Sequence, residues 1–149
     1  MLVLASASPR RADLLRQVGL DFQIWPSDGE DETRGVLPSS TEVQESEWGL
    51  DQVRRRARTT ALTKARSISD SHPDAVVIAA DTMVVADGVI LGKPTSASDA
   101  AAMLRRLSGR THHVATGVAG QHGRRQRALW GVVCTAVTFG ELNAVEIHR

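Results

Sequence analysis

The run AVVIAADTMVVADGVILGKP, residues 75–94, decides the fold class. It opens on Val76-Val77-Ile78-Ala79-Ala80, a continuous apolar stretch of the kind that forms a strand buried on both faces. The pattern predicts that this strand ends on Asp81. A short run, Met83-Val84-Val85, then meets Ala86-Asp87-Gly88 and a second run, Val89-Ile90-Leu91. Asp-Gly between β-branched runs predicts a hairpin, because glycine accepts the positive φ of a tight turn. The second arm finishes in Gly92-Lys93-Pro94. A carboxylate thus sits at the mouth of a buried strand, and the hairpin can return a lysine towards it. Such a pair suits metal-assisted chemistry on a phosphate. An aspartate that ends a strand is as often a plain turn or cap residue, and on this stretch alone the two readings weigh equally.

The rest of the chain narrows the setting. With 149 residues it is most simply one domain, 1–149, long enough for a real core. Eighteen basic and seventeen acidic side chains leave a net charge of +1, so no global field points to nucleic acid or an anionic membrane. The single Cys134 excludes an internal disulfide framework and fits a reducing compartment. No apolar run reaches the roughly 18–20 residues of a membrane span, and the start runs too quickly into Arg10-Arg11 to be a secretory signal. A cytoplasmic protein is expected.

In chain order, Leu2-Val3-Leu4-Ala5 reads as a short buried strand, followed by Ser6-Ala7-Ser8-Pro9-Arg10-Arg11 and a helix ending at Gly19. Ser8 is a good N-cap, Pro9 a good first helical residue and Gly19 a plausible C-cap. Two hydroxyls and two guanidinium groups therefore gather at a helix N-terminus, where free N–H groups attract anions. The bland reading is that the serines only cap and the arginines only decorate. Cations there oppose the helix dipole, however, so an anion site is favoured. Residues 21–25 (DFQIW) alternate as a second strand, and a loop then packs Asp28, Glu30, Asp31 and Glu32 into five positions. Acids on a loop are usually only solvated; the sharper reading is that one of them helps to hold a divalent cation.

Residues 41–69 look helical, with a break before Leu50 and an inner side of Val43, Leu50, Val53, Ala57, Ala61, Leu62 and Ala65. Arg54, Arg55, Arg56 and Arg58 read as a solvated face, whereas Lys64 adjoins the packed side. Ser96 or Ser98 caps a helix that Gly109 closes. Residues 111–119 form a strand, 120–127 a polar turn, and 129–139 a long strand with Val133, Thr135, Val137 and Phe139 on one face. His112 and His113 point to opposite faces of their strand, which argues against a histidine metal site. Residues 141–149 begin a helix that stops early, and this ending reads as a cut.

Three segments in this order resemble the Maf proteins: residues 4–11 (LASASPRR), Ala79-Ala80-Asp81-Thr82 with Leu91-Gly92-Lys93-Pro94, and residues 107–112 (LSGRTH). Asp31-Glu32-Thr33, Ala61-Leu62-Thr63-Lys64-Ala65 and Val137-Thr138-Phe139 agree, so the resemblance runs over the entire chain. It implies an α/β fold, a twisted mixed sheet flanked by helices, similar to the inosine-triphosphate pyrophosphatases and with two lobes around a nucleotide cleft. The implied activity is hydrolysis of a nucleoside triphosphate between the α and β phosphates, with Mg²⁺ or Mn²⁺ as cofactor and a homodimer as assembly. The family's proton acceptor falls on Asp81 and the acidic metal partner on Glu32, with Glu30 or Asp31 as alternatives. Both Asp81 and Glu32 are thereby expected metal ligands. Ser6, Ser8, Arg10 and Arg11 match the phosphate loop, and Lys64 and Lys93 are further catalytic contacts to the triphosphate. Arginine at Arg10 and threonine at Thr82 resemble the branch that takes dTTP and UTP. The family pattern continues beyond Arg149, so the resemblance also implies a C-terminally truncated chain. A rival reading follows from that: an inactive nucleotide binder acting through partners in septum formation. A nucleic-acid binder has little support with five aromatic residues and near-zero net charge.

Overall fold

The computed structural model describes residues 1–27, 49–125 and 127–148. Its elements run β1 (Leu2–Leu4), α1 (Pro9–Gln17), β2 (Gln23–Ile24), α2 (Leu50–Ser69), β3 (Val76–Ala86), β4 (Val89–Leu91), α3 (Ala97–Leu107), β5 (Thr111–His122), β6 (Arg127–Thr138) and α4 (Ala144–His148). The sheet order is β2-β1-β3-β5-β6, with β4 joined to β3. Strands β1, β2 and β3 are parallel, and β4, β5 and β6 join antiparallel. This is the expected mixed α/β sheet with flanking helices.

The helix ends follow their local chemistry. Ser8 is the N-cap of α1 and Pro9 opens the helix, but the Ser8 side chain makes no cap bond. At the other end Gly19, at φ 76°, donates to the Arg16 carbonyl while Leu20 donates to Leu15. That is the double bond pattern of a glycine-terminated helix. Between the two candidates for α3, Ser96 is the cap, accepting from the Asp99 N–H at 3.1 Å. Helix α2 starts after Gly49.

Strand β3 departs from the sequence expectation. It does not stop at Asp81 but runs eleven residues to Ala86. No turn residue follows Asp81, and β5 offers a continuous partner from Val76 to Val85, so the ladder carries Asp81 and Thr82 through without a break. The hairpin itself falls where expected, with Asp87 at φ 49° and Gly88 at φ 71° between Ala86 and its partner Val89. Strands β5 and β6 are also longer than their apolar cores, extending through His122 and from Arg127. Strand β2 is shorter than its alternating pattern, two residues in all.

The core lies between the sheet and α2. Val53, Ala57, Ala61, Ala65 and Ser69 recur every four residues and are all buried, whereas Leu50 and Leu62 are only partly so. They meet Val77, Ala79, Val85, Ala115 and Ala119 of β3 and β5. These side chains are small, so packing here comes from close approach. Gly117 makes that approach possible: a Cβ on it would lie 2.3 Å from the Ala57 carbonyl oxygen. Gly123, in the β5–β6 turn, would similarly meet the Ser69 oxygen at 2.5 Å. Across that turn the Arg124 guanidinium donates to Asp74 at 3.1 Å and holds its carboxyl below the usual range.

Gly117→Ala is expected to destabilise the fold by about 1–3 kcal/mol, the usual range for overpacking a filled interface. Urea unfolding read by circular dichroism measures it; an unchanged midpoint would mean that α2 does not lie against β5 as described.

Candidate active site

Strand β3 is paired with β5 along almost its full length, but its other side is not continuous. There β1 takes Val76, Val77 and Ile78, and β4 takes Val84, Val85 and Ala86. Between these two ladders residues 79–83 have no strand partner on that side among the described residues, and Asp81 is the middle one. Parallel β1 ends beside this window, its last bond running from the Ala5 N–H to the Ile78 carbonyl at 2.7 Å. The Ser6–Ser8 loop follows directly. Backbone pairing thus opens a gap at the place where the loop, the hairpin and the long strand come together.

Side chains reach the window from both faces of the sheet. Residues alternate along a strand; Val77, Ala79, Met83 and Val85 pack on the α2 side, so Asp81 lies on that side and Thr82 on the other. Lys64 projects from α2, and its ammonium donates to Asp81 Oδ1 at 2.9 Å. The two side chains are 11% and 16% exposed, so the pair is largely shielded yet open at one edge. Asp81 sits opposite Gly117, where the space of a side chain is taken by the α2 backbone at Ala57.

On the other face, Arg11 reaches back from the first turn of α1. Its Nη1 donates to Ser6 Oγ at 3.0 Å and its Nη2 makes a long contact of 3.5 Å to Thr82 Oγ1. Thr82 in turn shares a hydroxyl contact of 3.2 Å with Thr116, its cross-strand partner. Ser6 is fully buried and also accepts from the Ser8 N–H at 3.3 Å. The loop is therefore braced by Ser6, while Pro9 carries no N–H and the Arg11 and Ala12 N–H groups go to the Ser8 carbonyl, both at 3.2 Å. Arg10 is exposed on the same turn, and Lys93 is exposed just beyond β4. Glu30, Asp31 and Glu32 lie outside the described residues.

The structure thus joins Lys64 to Asp81, and links Ser6 to Thr82 through Arg11. Thr116 escaped the sequence reading, since its place beside Thr82 depends on the β3–β5 register; the neighbouring Gly117, a glycine inside a strand pattern, was the signal available. The arginine-rich face of α2 needs a correction. It is not merely solvated: Arg58 stacks on Trp130 and Arg54 donates to Cys134 Sγ at 3.2 Å.

Chemically, Asp81 offers a second carboxylate oxygen beyond the one that Lys64 holds. A hard oxygen donor fits Mg²⁺ or Mn²⁺, which take one or two carboxylates and complete their shells with water and phosphate oxygens. Among the described residues no cluster of three or more His, Cys, Asp or Glu gathers to cage a metal.

Residues 1–149, the whole chain, match the family described as Maf-like protein. The chain belongs to the Maf family. It is 36% identical over 148 residues to a dTTP/UTP pyrophosphatase of Dictyoglomus thermophilum, covering 99% of this chain and 70% of that one. Proteins of the same name from Moorella thermoacetica and Symbiobacterium thermophilum are 43% and 45% identical, with 99% of this chain and 69% and 68% of theirs covered. This Maf chain is also similar in fold to the Staphylococcus aureus Ham1 protein, with a TM-score of 0.52 at 13% identity over 91% of this chain and 69% of that one. Among the described residues no helix is long and apolar enough to cross a membrane.

The Lys64–Asp81 contact can be measured by a double-mutant cycle of Lys64→Ala and Asp81→Ala in urea unfolding. A coupling of about 1–3 kcal/mol is expected for a partly shielded pair in contact; coupling near zero would mean that the two side chains do not meet in solution.

Proposed function

We propose that this chain is a nucleoside triphosphate pyrophosphatase acting on dTTP and UTP, cutting between the α and β phosphates to give the nucleoside monophosphate and pyrophosphate. The observation that carries the reading is the shielded Lys64–Asp81 pair at the unpaired window of β3, in a chain 99% of which aligns with 68–70% of the length of proteins of that name.

In this reading Asp81 is the general base. Lys64 fixes one carboxylate oxygen, and the other accepts a proton as water attacks the α-phosphorus. The start of α1, with Ser6, Ser8, Arg10 and Arg11, binds the phosphates, whose oxygens match guanidinium donors. Lys93, at the far end of the window, adds a further cation to the triphosphate. Asp81 and Glu32 would hold Mg²⁺ or Mn²⁺, which when bound offsets the negative charge of the triphosphate. Thr82, with Arg10, takes the part of base selection, and Thr116 acts on Thr82 by holding its hydroxyl. The proposal also carries a cytoplasmic setting and a homodimer, in line with the single cysteine and the family resemblance.

Two outcomes test it. Asp81→Asn keeps the shape and removes the base, so pyrophosphate release from dTTP and UTP should fall about 10²–10⁴-fold with triphosphate binding retained. Near-normal turnover would remove Asp81 from the role. If the unmutated chain, folded and binding nucleotide, released no pyrophosphate with either cation, the rival reading of an inactive nucleotide binder would replace this one. Separately, Arg10→Trp should lower kcat/KM for dTTP and UTP relative to other triphosphates. An unchanged ranking of bases would detach Arg10 from selectivity.

A further inference from the structure

Where α2 lies beside strand β6, the two border an open, shallow groove of about 480 Å³ lined by Asp51, Arg54, Arg55, Arg58, Trp130 and Val132. Strand β5 separates β6 from β3, so this groove is distinct from the Asp81 site. We propose that it is a second anion site, built for an oligophosphate.

The arginines of the groove are held in different ways. Arg54 is committed to the fold, with Nε on Cys134 Sγ at 3.2 Å and Nη1 3.7 Å from Asp51. Arg58 is fixed differently: its guanidinium carbon lies 3.5 Å from the centre of the Trp130 ring. Stacking uses the faces of the guanidinium plane and leaves its in-plane N–H donors free to point outward. Arg55 is exposed one residue further round, and among the described residues no carboxylate lies within ion-pair distance of Arg55 or Arg58. On one helix Arg58 stands at i,i+3 from Arg55 and i,i+4 from Arg54, and like charges at these spacings repel. A bound anion relieves that repulsion.

The chemistry of the anion follows from the balance of charge. Asp51 offsets one cation and repels a weak anion, so a carboxylate or chloride gains little. A linear phosphate chain offers several charges and oxygens that accept from guanidinium edges in pairs. The groove falls in the range of small-ligand sites, about 300–1,000 Å³. A single nucleic-acid strand would need a long basic track with successive aromatic platforms, and here one ring, Trp130, lines the groove. Inorganic oligophosphate and the phosphate tail of a nucleotide share this chemistry.

The test is calorimetric titration at low salt with inorganic triphosphate and with α,β-methylene-UTP, on the unmutated chain, R55A/R58A and R55K/R58K. One binding event present in the unmutated chain should weaken at least tenfold in R55A/R58A and return in the lysine variant. Equal strength for both probes would identify inorganic oligophosphate as the ligand, and tighter binding of the analogue a nucleotide. Isotherms that superimpose for the unmutated chain and R55A/R58A would overturn the site, whatever the Asp81 window binds. Dependence on Arg55 and Arg58 for a 15-mer oligonucleotide with none for triphosphate would overturn the ligand class. In a Trp25→Phe/Trp48→Phe background the Trp130 fluorescence should shift on saturation with triphosphate. No shift there overturns the proposal even if R55A/R58A does not fold. Failure of the pyrophosphatase reading would appear instead as absent pyrophosphate release, with the arginine-dependent binding intact.

Discussion

The close approach of α2 to β3 and β5 is the constraint from which the site follows. A helix with Leu or Phe along its inner stripe would stand off the sheet by the depth of those side chains, with interaxial distances set by the residues at the contact. Here the stripe is Val53, Ala57, Ala61, Ala65 and Ser69, and the sheet answers with Ala79, Ala115, Gly117 and Ala119. Dispersion and burial are then gained from backbone-level contact. The largest fully buried side chains are no bigger than Leu4 and Val3, so little of the stability comes from large apolar groups. Lys64 benefits directly. Because its backbone sits low over the sheet, its ammonium meets Asp81 at 2.9 Å. A higher helix would leave the carboxylate half-shielded and unpaired, which is the costly arrangement.

The second constraint is the unequal pairing of β3. Its β5 side is satisfied nearly throughout, which keeps the strand straight and fixes the facing of each residue. On the other side β1 and β4 stop short of one another, and Asp81 is the midpoint of the interval. Alternation then sends Asp81 and Thr82 to opposite faces, each with its own brace: Lys64 from α2, and Arg11 with Thr116. A rigid strand thus presents two differently dressed neighbours at one gap, and neither depends on a loop for its direction. Precise placement of reacting groups is easier on a regular element than on a loop.

Much of this was legible in the residues. The apolar run before Asp81, the Asp-Gly turn, the Ser8-Pro9 helix start and the Gly19 stop each carry local chemistry that survives in the fold. The length of β3 was not legible, because Asp81 and Thr82 interrupt an apolar run while the β5 ladder holds them in it; pairing overrode pattern. Thr116 was hidden for a related reason, since cross-strand neighbours are set by register and register is not a local property. Arg58 and Trp130 lie seventy-two positions apart, and neither residue signals a partner of the other kind.

The arginines on α2 show how a charged helix face acquires structure. Arg54 and Arg58 partly cover the α2 side of β6 over Val132, Cys134 and Trp130, which stays 51% exposed, and long basic side chains do this well because their stems are apolar and their heads stay wet. A sheet face with apolar side chains gains from such cover, since contiguous exposed apolar surface invites association. The opposite face of β6 lacks it: Leu129 and Val133 are 77% and 66% exposed. One strand therefore carries a dressed face and a bare one. The cover on the dressed face is cationic, and a cationic cover collects anions whether or not the strand needed one. Cover of a sheet face and capture of an oligophosphate are then two consequences of one packing solution, with Arg58 serving the first through its plane and the second through its rim.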